Sequence, residues 1–146
     1  MGEDMTMIRL CACSKSVAYV PVATYHYLKL NTNAFTHGSV ASTLKDVVYN
    51  ADLTIDFLER SLGAGIATDL MYFKQNVKFP LLISDKSEDY RMWRELYPES
   101  NGSITANPGA SRRTKLLQSL AAHNMFCLVK LYYLCIHKFI YGVLYR

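Results

Sequence analysis

Side chains that could perform acid–base or metal chemistry form two short pairs in this chain of 146 residues. Asp52 and Asp56 lie one helical turn apart, a spacing that would suit general acid–base catalysis or a divalent cation. His123 and Cys127 have the same spacing and could share a metal ion on one helix face. The simpler interpretation is a solvated acidic face for the first pair, and a surface histidine beside a small apolar cysteine for the second. We favour the simpler interpretation and expect neither a metal nor a cofactor.

No set of residues supplies a nucleophile, its base and an orienting group together. The glycine-rich turn Gly63-Ala64-Gly65 precedes a predicted helix, but it lacks the other residues of a Walker or dinucleotide-binding motif. The four cysteines form no Cys-x-x-Cys pair, and their spacings do not suit disulfides. Free thiols are typical of a reducing compartment, and no secretory signal peptide opens the sequence. We therefore expect an intracellular protein that is not an enzyme.

Three polar side chains recur at intervals of seven residues near the end of the sequence: His123, Lys130 and His137. Seven residues are about two helical turns, so these side chains would lie near one line along a helix. They would form a polar seam on an otherwise apolar surface. Because an unpaired buried cation is costly, such a seam requires water, a lipid headgroup or a partner's carboxylates. We predict that these three residues contact a partner.

A basic cluster of Arg112, Arg113 and Lys115 lies at the start of the same segment. Residues 111–146 carry six basic and no acidic side chains, whereas residues 1–110 carry ten basic and twelve acidic ones. The basic end could meet anionic lipid, nucleic acid or an acidic protein surface. Nucleic acid is the weakest of these candidates, because the aromatic residues that follow lie in apolar rather than basic surroundings. We predict that the cluster is an interaction site.

The segment that must position these residues, 111–146, predicts one long helix. Ser111 is a suitable N-cap, and the first helix-breaking residue after it is Gly142. Its apolar residues point in all directions, which is typical of a helix buried in a protein core or in a membrane. Lys130 interrupts the apolar run, and a lysine at the bilayer centre costs about 2.5–3.5 kcal/mol. Whether residues 116–141 cross a bilayer or are buried in protein therefore stays open at this point.

Three shorter amphipathic helices are predicted upstream of this segment. Residues 43–62 repeat apolar side chains at helical spacing, and residues 66–77 do so again after a short connection. Residues 85–97 form the third predicted helix, which Pro98 ends. This helix contains Trp93, the only tryptophan, which we expect to close a core or an interface rather than to bind a small ligand.

Two stretches do not read as helix. Residues 1–42 predict an extended arm and linker, because Pro21 opposes a continuous helix and the β-branched and aromatic content allows a short strand. Residues 98–110 contain two prolines and two glycines and predict a mobile linker that is too polar for a core. The predicted fold is mostly α, with three short amphipathic helices, a long apolar C-terminal helix and an extended N-terminal arm. Its predicted parts are residues 1–42, 43–97, 98–110 and 111–146.

These features favour a non-catalytic accessory subunit or adaptor of a membrane-associated assembly, held by its apolar C-terminal helix. We expect protein subunits as partners, anionic lipid or a membrane as a further candidate partner, and no nucleic acid. The predicted location is intracellular and membrane-associated, for which an organelle such as the mitochondrion would be suitable. The alternative is a soluble helical bundle that binds a partner helix in a groove.

Overall fold

A computed structural model describes residues 2–22 and 40–136 of the chain. Within these residues the structure contains α-helices, short 3-10 turns and no β-strand, so the prediction of a mostly α fold is confirmed. The chain divides into two compact units, residues 1–61 and residues 62–146. The helices are α1 Gly2–Cys13, α2 Val40–Leu62, α3 Ala67–Lys78, α4 Ser87–Glu95, α5 Arg112–Ala122 and α6 Phe126–Tyr132.

The first unit begins with a helix where the sequence predicted an extended arm. α1 occupies the first residues, so that part of the prediction is wrong. The residues from 16 to 21 that follow have no regular structure, and Val17 and Tyr19 are exposed there. Proline at position 21 acts only on residues beside it, which is why it does not prevent a helix eight residues earlier.

The helix α2 is the amphipathic helix that the apolar spacing predicted. It begins three residues before the predicted start and ends at the predicted residue, Leu62. Its buried apolar positions form one face, the charged positions are exposed, and Leu53 and Leu62 are exposed as well. The buried apolar residues of α2 are Leu44, Val47, Ala51, Ile55 and Leu58.

The second unit contains the predicted second and third helices, which correspond to α3 and α4. A 3-10 turn, Phe79–Leu82, follows α3 directly because Pro80 cannot continue the α-helical hydrogen bonding. The core of this unit combines residues of all four of its helices with residues of the turns between them. Its buried apolar side chains are Leu70, Val77, Leu81, Leu82, Tyr90, Trp93, Ile104, Leu117, Ala121 and Val129.

The stretch 98–110 is not the solvated linker that its composition predicted. A 3-10 helix occupies Pro98–Ser103, and the side chains of Ser100, Ile104 and Asn107 are buried. The two buried polar side chains are hydrogen-bonded, which removes the cost that would otherwise keep such residues at the surface. This stretch is therefore a structural part of the second unit.

The long apolar C-terminal helix is also absent from the described residues, because the chain turns after α5. Asn124 has a φ of 59°, and its N–H donates to the carbonyl of Ala121 while the N–H of Met125 donates to the carbonyl of Leu120. These bonds form a Schellman motif, in which asparagine supplies the left-handed residue that ends a helix. α6 then starts as a separate helix, and residues 137–146 lie outside the described residues.

A membrane span is accordingly not found among the helices that the structure describes, since none is both long and apolar enough to cross a bilayer. α6 has only seven residues, and α5 has eleven with a basic first turn. Two short helices, α5 and α6, therefore position the candidate site residues, in place of the single long helix that was predicted.

Candidate functional site

The residues of the predicted polar seam do not share one helix. His123 follows the last residue of α5, where its ring Nδ1 lies 2.8 Å from the carbonyl oxygen of Ser119. Lys130 is exposed on α6, after the Schellman turn, and His137 lies outside the described residues. The seven-residue spacing assumed an unbroken helix, and the turn at Asn124 removes that assumption. His123 and Lys130 thus belong to different helices, and their contact with a partner stays a prediction.

The basic cluster does lie together, in the first turns of α5. Ser111 caps this helix as predicted, its hydroxyl accepting from the N–H of Thr114 at 3.1 Å. Arg112 and Arg113 are exposed, and the ammonium of Lys115 donates to the carbonyl of Thr105 at 2.9 Å. The first turn contains no acidic residue, although an acidic residue there would interact favourably with the helix dipole.

A groove opens beside the start of α5. It has a volume of about 290 Å³ and is half open to solvent. Five of its lining side chains are largely apolar. They come from the Phe79–Leu82 turn and the residue after it, from the buried face of α5, and from the last residue of α6 and the turn that follows it. Three more, at the start of α5, are polar. The lining residues are Phe79, Ile83, Leu117, Tyr132 and Ile136 on the apolar side and Ser111, Arg113 and Thr114 on the polar side.

A buried lysine directly precedes Phe79, one of the residues that line this groove. Lys78, the last residue of α3, is 0% exposed. Its ammonium donates to the carbonyls of Leu96 and Tyr97, each at 3.2 Å, and to the Oδ1 of Asn101 at 2.5 Å. The ring centroid of Trp93 lies 4.2 Å from the Nζ atom, within the range of a cation–π interaction. We call these four partners the lysine pocket.

Burial changes the acidity of Lys78. Removal of the ammonium from water lowers its pKa from 10.5 to about 8, and the negative charge of Glu99 opposes part of this decrease. The Lys78 side chain is mostly protonated at neutral pH, and all three ammonium protons have acceptors in the lysine pocket. Lys78 therefore holds α3 to the end of α4 and to the 3-10 helix that follows.

The lysine pocket includes one strained residue. Tyr97 has a φ of 46°, in the left-handed region, which costs about 1–2 kcal/mol for a residue other than glycine. Its carbonyl accepts from Lys78 and twice from Ser100, once from the backbone N–H at 3.1 Å and once from the hydroxyl at 2.8 Å. These hydrogen bonds offset the strain.

An ion pair lies at the edge of the same region. The ammonium of Lys74 is 2.7 Å from a carboxylate oxygen of Glu99, whose side chain is half exposed. Burial alone would raise the pKa of the Glu99 carboxyl, but the hydrogen bond from Lys74 and the charges of Lys74 and Lys78 outweigh it and lower the pKa. The carboxylate is thus held in its charged form by two lysines.

A second buried polar side chain, Gln75, connects three parts of the unit. Its Nε2 donates to the carbonyl of Ser100 at 2.6 Å, and its Oε1 accepts from the Nδ2 of Asn107 at 2.9 Å. Its backbone carbonyl accepts from the Nε2 of Gln118 at 3.1 Å. Since α5 carries Gln118, these bonds fix the helix that forms one wall of the groove.

Trp93, predicted to close a core or an interface, is 0% exposed in the interior of the unit. Its ring packs edge to face against Phe126, with centroids 6.4 Å apart, while Tyr90 stacks on Phe126 at 5.3 Å. The indole N–H and the Oε1 of Gln118 are buried without a hydrogen-bond partner in the described part of the chain. Trp93 therefore belongs to the core and is not a surface contact residue.

The two pairs considered first for chemistry remain surface residues. Asp56 makes an i,i+4 ion pair of 2.6 Å with Arg60, and both side chains are largely exposed. Cys127 is exposed on α6. Among the residues that the structure describes, no group of three or more His, Cys, Asp or Glu side chains is arranged to hold a metal ion.

The buried polar residues were missed by sequence reasoning, although one signal was present. Lys78 lies eight residues after the buried Leu70, which places it on the same face of α3. Gln75 and Asn107 gave no comparable signal, because their burial depends on partners 25 to 43 residues away.

No family model, curated protein or solved structure matches this chain.

Proposed function

We propose that this chain is a non-catalytic adaptor that binds an apolar segment of a partner protein in the groove beside α5. The observation that carries the proposal is the groove itself, whose apolar side is lined by Phe79, Ile83, Leu117, Tyr132 and Ile136. Exposed concave apolar surface of this kind is typical of sites that receive a partner's side chains. The proposal corresponds to the helix-in-groove alternative of the sequence analysis.

The size of the groove favours a few side chains over a whole small molecule. Small-molecule sites usually have volumes of about 300–1,000 Å³ and bury most of their ligand. This groove, at about 290 Å³ and half open, lies at the lower limit of that range. A cavity of about 150 Å³ accommodates benzene, so the groove has room for about two apolar side chains. A partner segment would cover the open side with its own backbone.

The rigidity of the groove walls supports the same proposal. Gln75 and Gln118 hold α5 against α3, and the Phe79–Leu82 turn follows α3 without a break. A preformed site loses less conformational entropy on binding than one that must become ordered. These buried bonds therefore favour a binding role for the groove.

The proposal is tested with a displayed library of random 12-residue peptides selected against the full chain. Ile83→Asp places a charge in the groove, and Leu116→Asp is the matched control because Leu116 is 57% exposed on α5 and does not line the groove. We expect selected peptides with two apolar residues three or four positions apart. Their binding should be lost with Ile83→Asp and kept with Leu116→Asp. Absence of enriched peptides, or equal binding by both variants, would contradict the proposal.

A second candidate function is attachment to a membrane-associated assembly through α6. Leu128 and Leu131 are 40% and 55% exposed on this helix, and Lys130 is exposed beside them. An exposed apolar and basic helix face is a feature of proteins that lie on anionic membranes. Sedimentation with phosphatidylserine vesicles tests it: Leu131→Asp should reduce the bound fraction and Leu53→Asp on α2 should not. Failure of the wild-type chain to sediment would exclude this candidate.

A further inference from the structure

The groove carries a charge preference as well as an apolar one. Arg113 lines its polar side, and Arg112 adjoins it in the same turn. Neither guanidinium makes a hydrogen bond or an ion pair in the part of the chain that the structure describes. The nearby Lys115 is engaged with the carbonyl of Thr105. The Arg113 guanidinium at the edge of the groove is thus available to a ligand.

Nothing close in the sequence neutralises this charge. The first turn of α5 contains no acidic residue, and residues 111–146 contain none at all. In the second unit, the Glu99 carboxylate is paired with Lys74, and that of Asp89 accepts from the hydroxyl of Ser84. The other acidic residues of this unit do not line the groove; they are Asp69, Asp85, Glu88 and Glu95. Positive charge that the chain does not compensate raises the local concentration of anionic ligands and disfavours basic ones.

Resting on the proposed function, we propose that the segment bound in the groove is acidic as well as apolar. Two apolar side chains lie against Phe79, Ile83 and Tyr132, and a carboxylate of the same segment pairs with Arg113. Arginine suits this role because its planar guanidinium can bind a carboxylate through two parallel hydrogen bonds. The occupant is therefore a peptide segment in which an aspartate or a glutamate adjoins the apolar pair.

A free amphiphilic anion is a less suitable occupant. A lipid acyl chain would need enclosure along its length, whereas the groove is half open and has room for about two small apolar groups. A peptide requires no such enclosure, because its backbone remains in water beside the groove. The apolar volume and the position of Arg113 together favour the peptide.

The test uses synthetic peptides in which two leucines four positions apart are followed by Glu, Gln or Lys, titrated into the full chain at low and high salt. We expect the Glu peptide to bind about threefold more tightly than the Gln peptide and about tenfold more tightly than the Lys peptide, in line with a partly exposed ion pair. The preference should weaken at about 1 M salt, where charges are screened within about 3 Å.

Charge reversal provides the decisive arm. Arg113→Glu should reverse the order, so that the Lys peptide binds more tightly than the Glu peptide. The matched control is Arg91→Glu, an exposed arginine of α4 that does not line the groove and makes the same change in net charge. The original order should persist in that variant. A charge preference that is lost equally in both variants would overturn the role of Arg113.

The outcomes separate this inference from the proposed function. Equal binding of the Glu, Gln and Lys peptides, sensitive to Ile83→Asp, would overturn the acidic preference and leave groove binding intact. No binding of any peptide would overturn both. A third outcome is that dodecanoate binds the wild-type chain but not Ile83→Asp, while no peptide binds. That outcome would assign the groove to amphiphilic anions instead and overturn the peptide proposal.

Discussion

Lys78 provides a prediction about stability that can be worked out from its surroundings. Its pKa in the folded chain is about 8, against 10.5 for an ordinary lysine, because the ammonium is buried. The unfolded chain therefore keeps this proton at pH values where the folded chain has already released it. Since stability rises with pH wherever the unfolded state binds more protons, Lys78 makes the second unit more stable as pH rises from about 7 to 10.5.

The size of this effect follows from the two pKa values. At about 1.36 kcal/mol for each pH unit, the full difference between 10.5 and about 8 corresponds to about 3 kcal/mol. Between pH 7 and pH 9, where the folded protein can be handled easily, the expected increase in the free energy of unfolding is about 1 kcal/mol. Below pH 7 both states bind the proton and the contribution of Lys78 no longer changes.

The assay is urea unfolding at pH 7 and at pH 9, followed by tryptophan fluorescence under reducing conditions. Trp93 is the only tryptophan and lies against the Lys78 ammonium, so its emission reports on this region. Lys78→Met removes the titrating group while keeping most of the side-chain volume, and the increase with pH should disappear. Lys86→Met, at an exposed position in the same unit, should retain it.

At pH 7, where Lys78 is mostly protonated, the substitution also has a cost. Without the ammonium, the carbonyls of Leu96 and Tyr97 and the Asn101 side chain lose a charged donor, and lost bonds of this kind cost about 1.5–3 kcal/mol each. Because the substitution also removes a buried charge, about 3 kcal/mol of this cost is recovered. An increase with pH in Lys78→Met equal to that of the wild type would refute the reasoning, because the change would then come from other groups.

Two further predictions concern the elements that shape the groove, both measured as free energies of unfolding in urea. Gln75→Leu should lower the free energy of unfolding by about 2–4 kcal/mol, because the buried carbonyl of Ser100 and the amide of Asn107 lose their partner. A loss below about 0.5 kcal/mol would show that these groups find water instead. Asn124→Val should lower the free energy of unfolding by about 1–2 kcal/mol, because valine resists the left-handed conformation. Asn124→Gly should change it almost not at all, because glycine adopts this conformation freely. Equal effects of the two variants would exclude a strained turn there.

The helices between residues 40 and 95 and the start of α5 could be predicted because their signals are local. The apolar spacing of α2, the proline that follows α3 and the serine that caps α5 act over three or four residues, and each is present in the structure. The break after α5 also had a local signal, Asn124, but the helical pattern on both sides of this asparagine outweighed it. The seven-residue spacing assumed one helix, and the turn divides it between His123 and Lys130.

The candidate site divides in the same way. Sequence reasoning found Arg112 and Arg113, because charge without compensation can be counted along the chain. It did not find the groove beside them, since the groove requires the Phe79–Leu82 turn, the start of α5 and the end of the α6 region to meet. It also assigned residues 98–110 to solvent on the basis of composition, although composition says nothing about which polar groups find buried partners.

The sequence by itself determined the helical class, the start and end of several helices and the basic character of the C-terminal part. These properties depend on neighbours within a few turns and on the sum of charges. Only the tertiary structure decided that Lys78 and Gln75 are interior residues and that an apolar groove adjoins Arg113. The reason is physical: a buried polar group is stable only with partners, and here the partners lie 18 to 43 residues away in the chain.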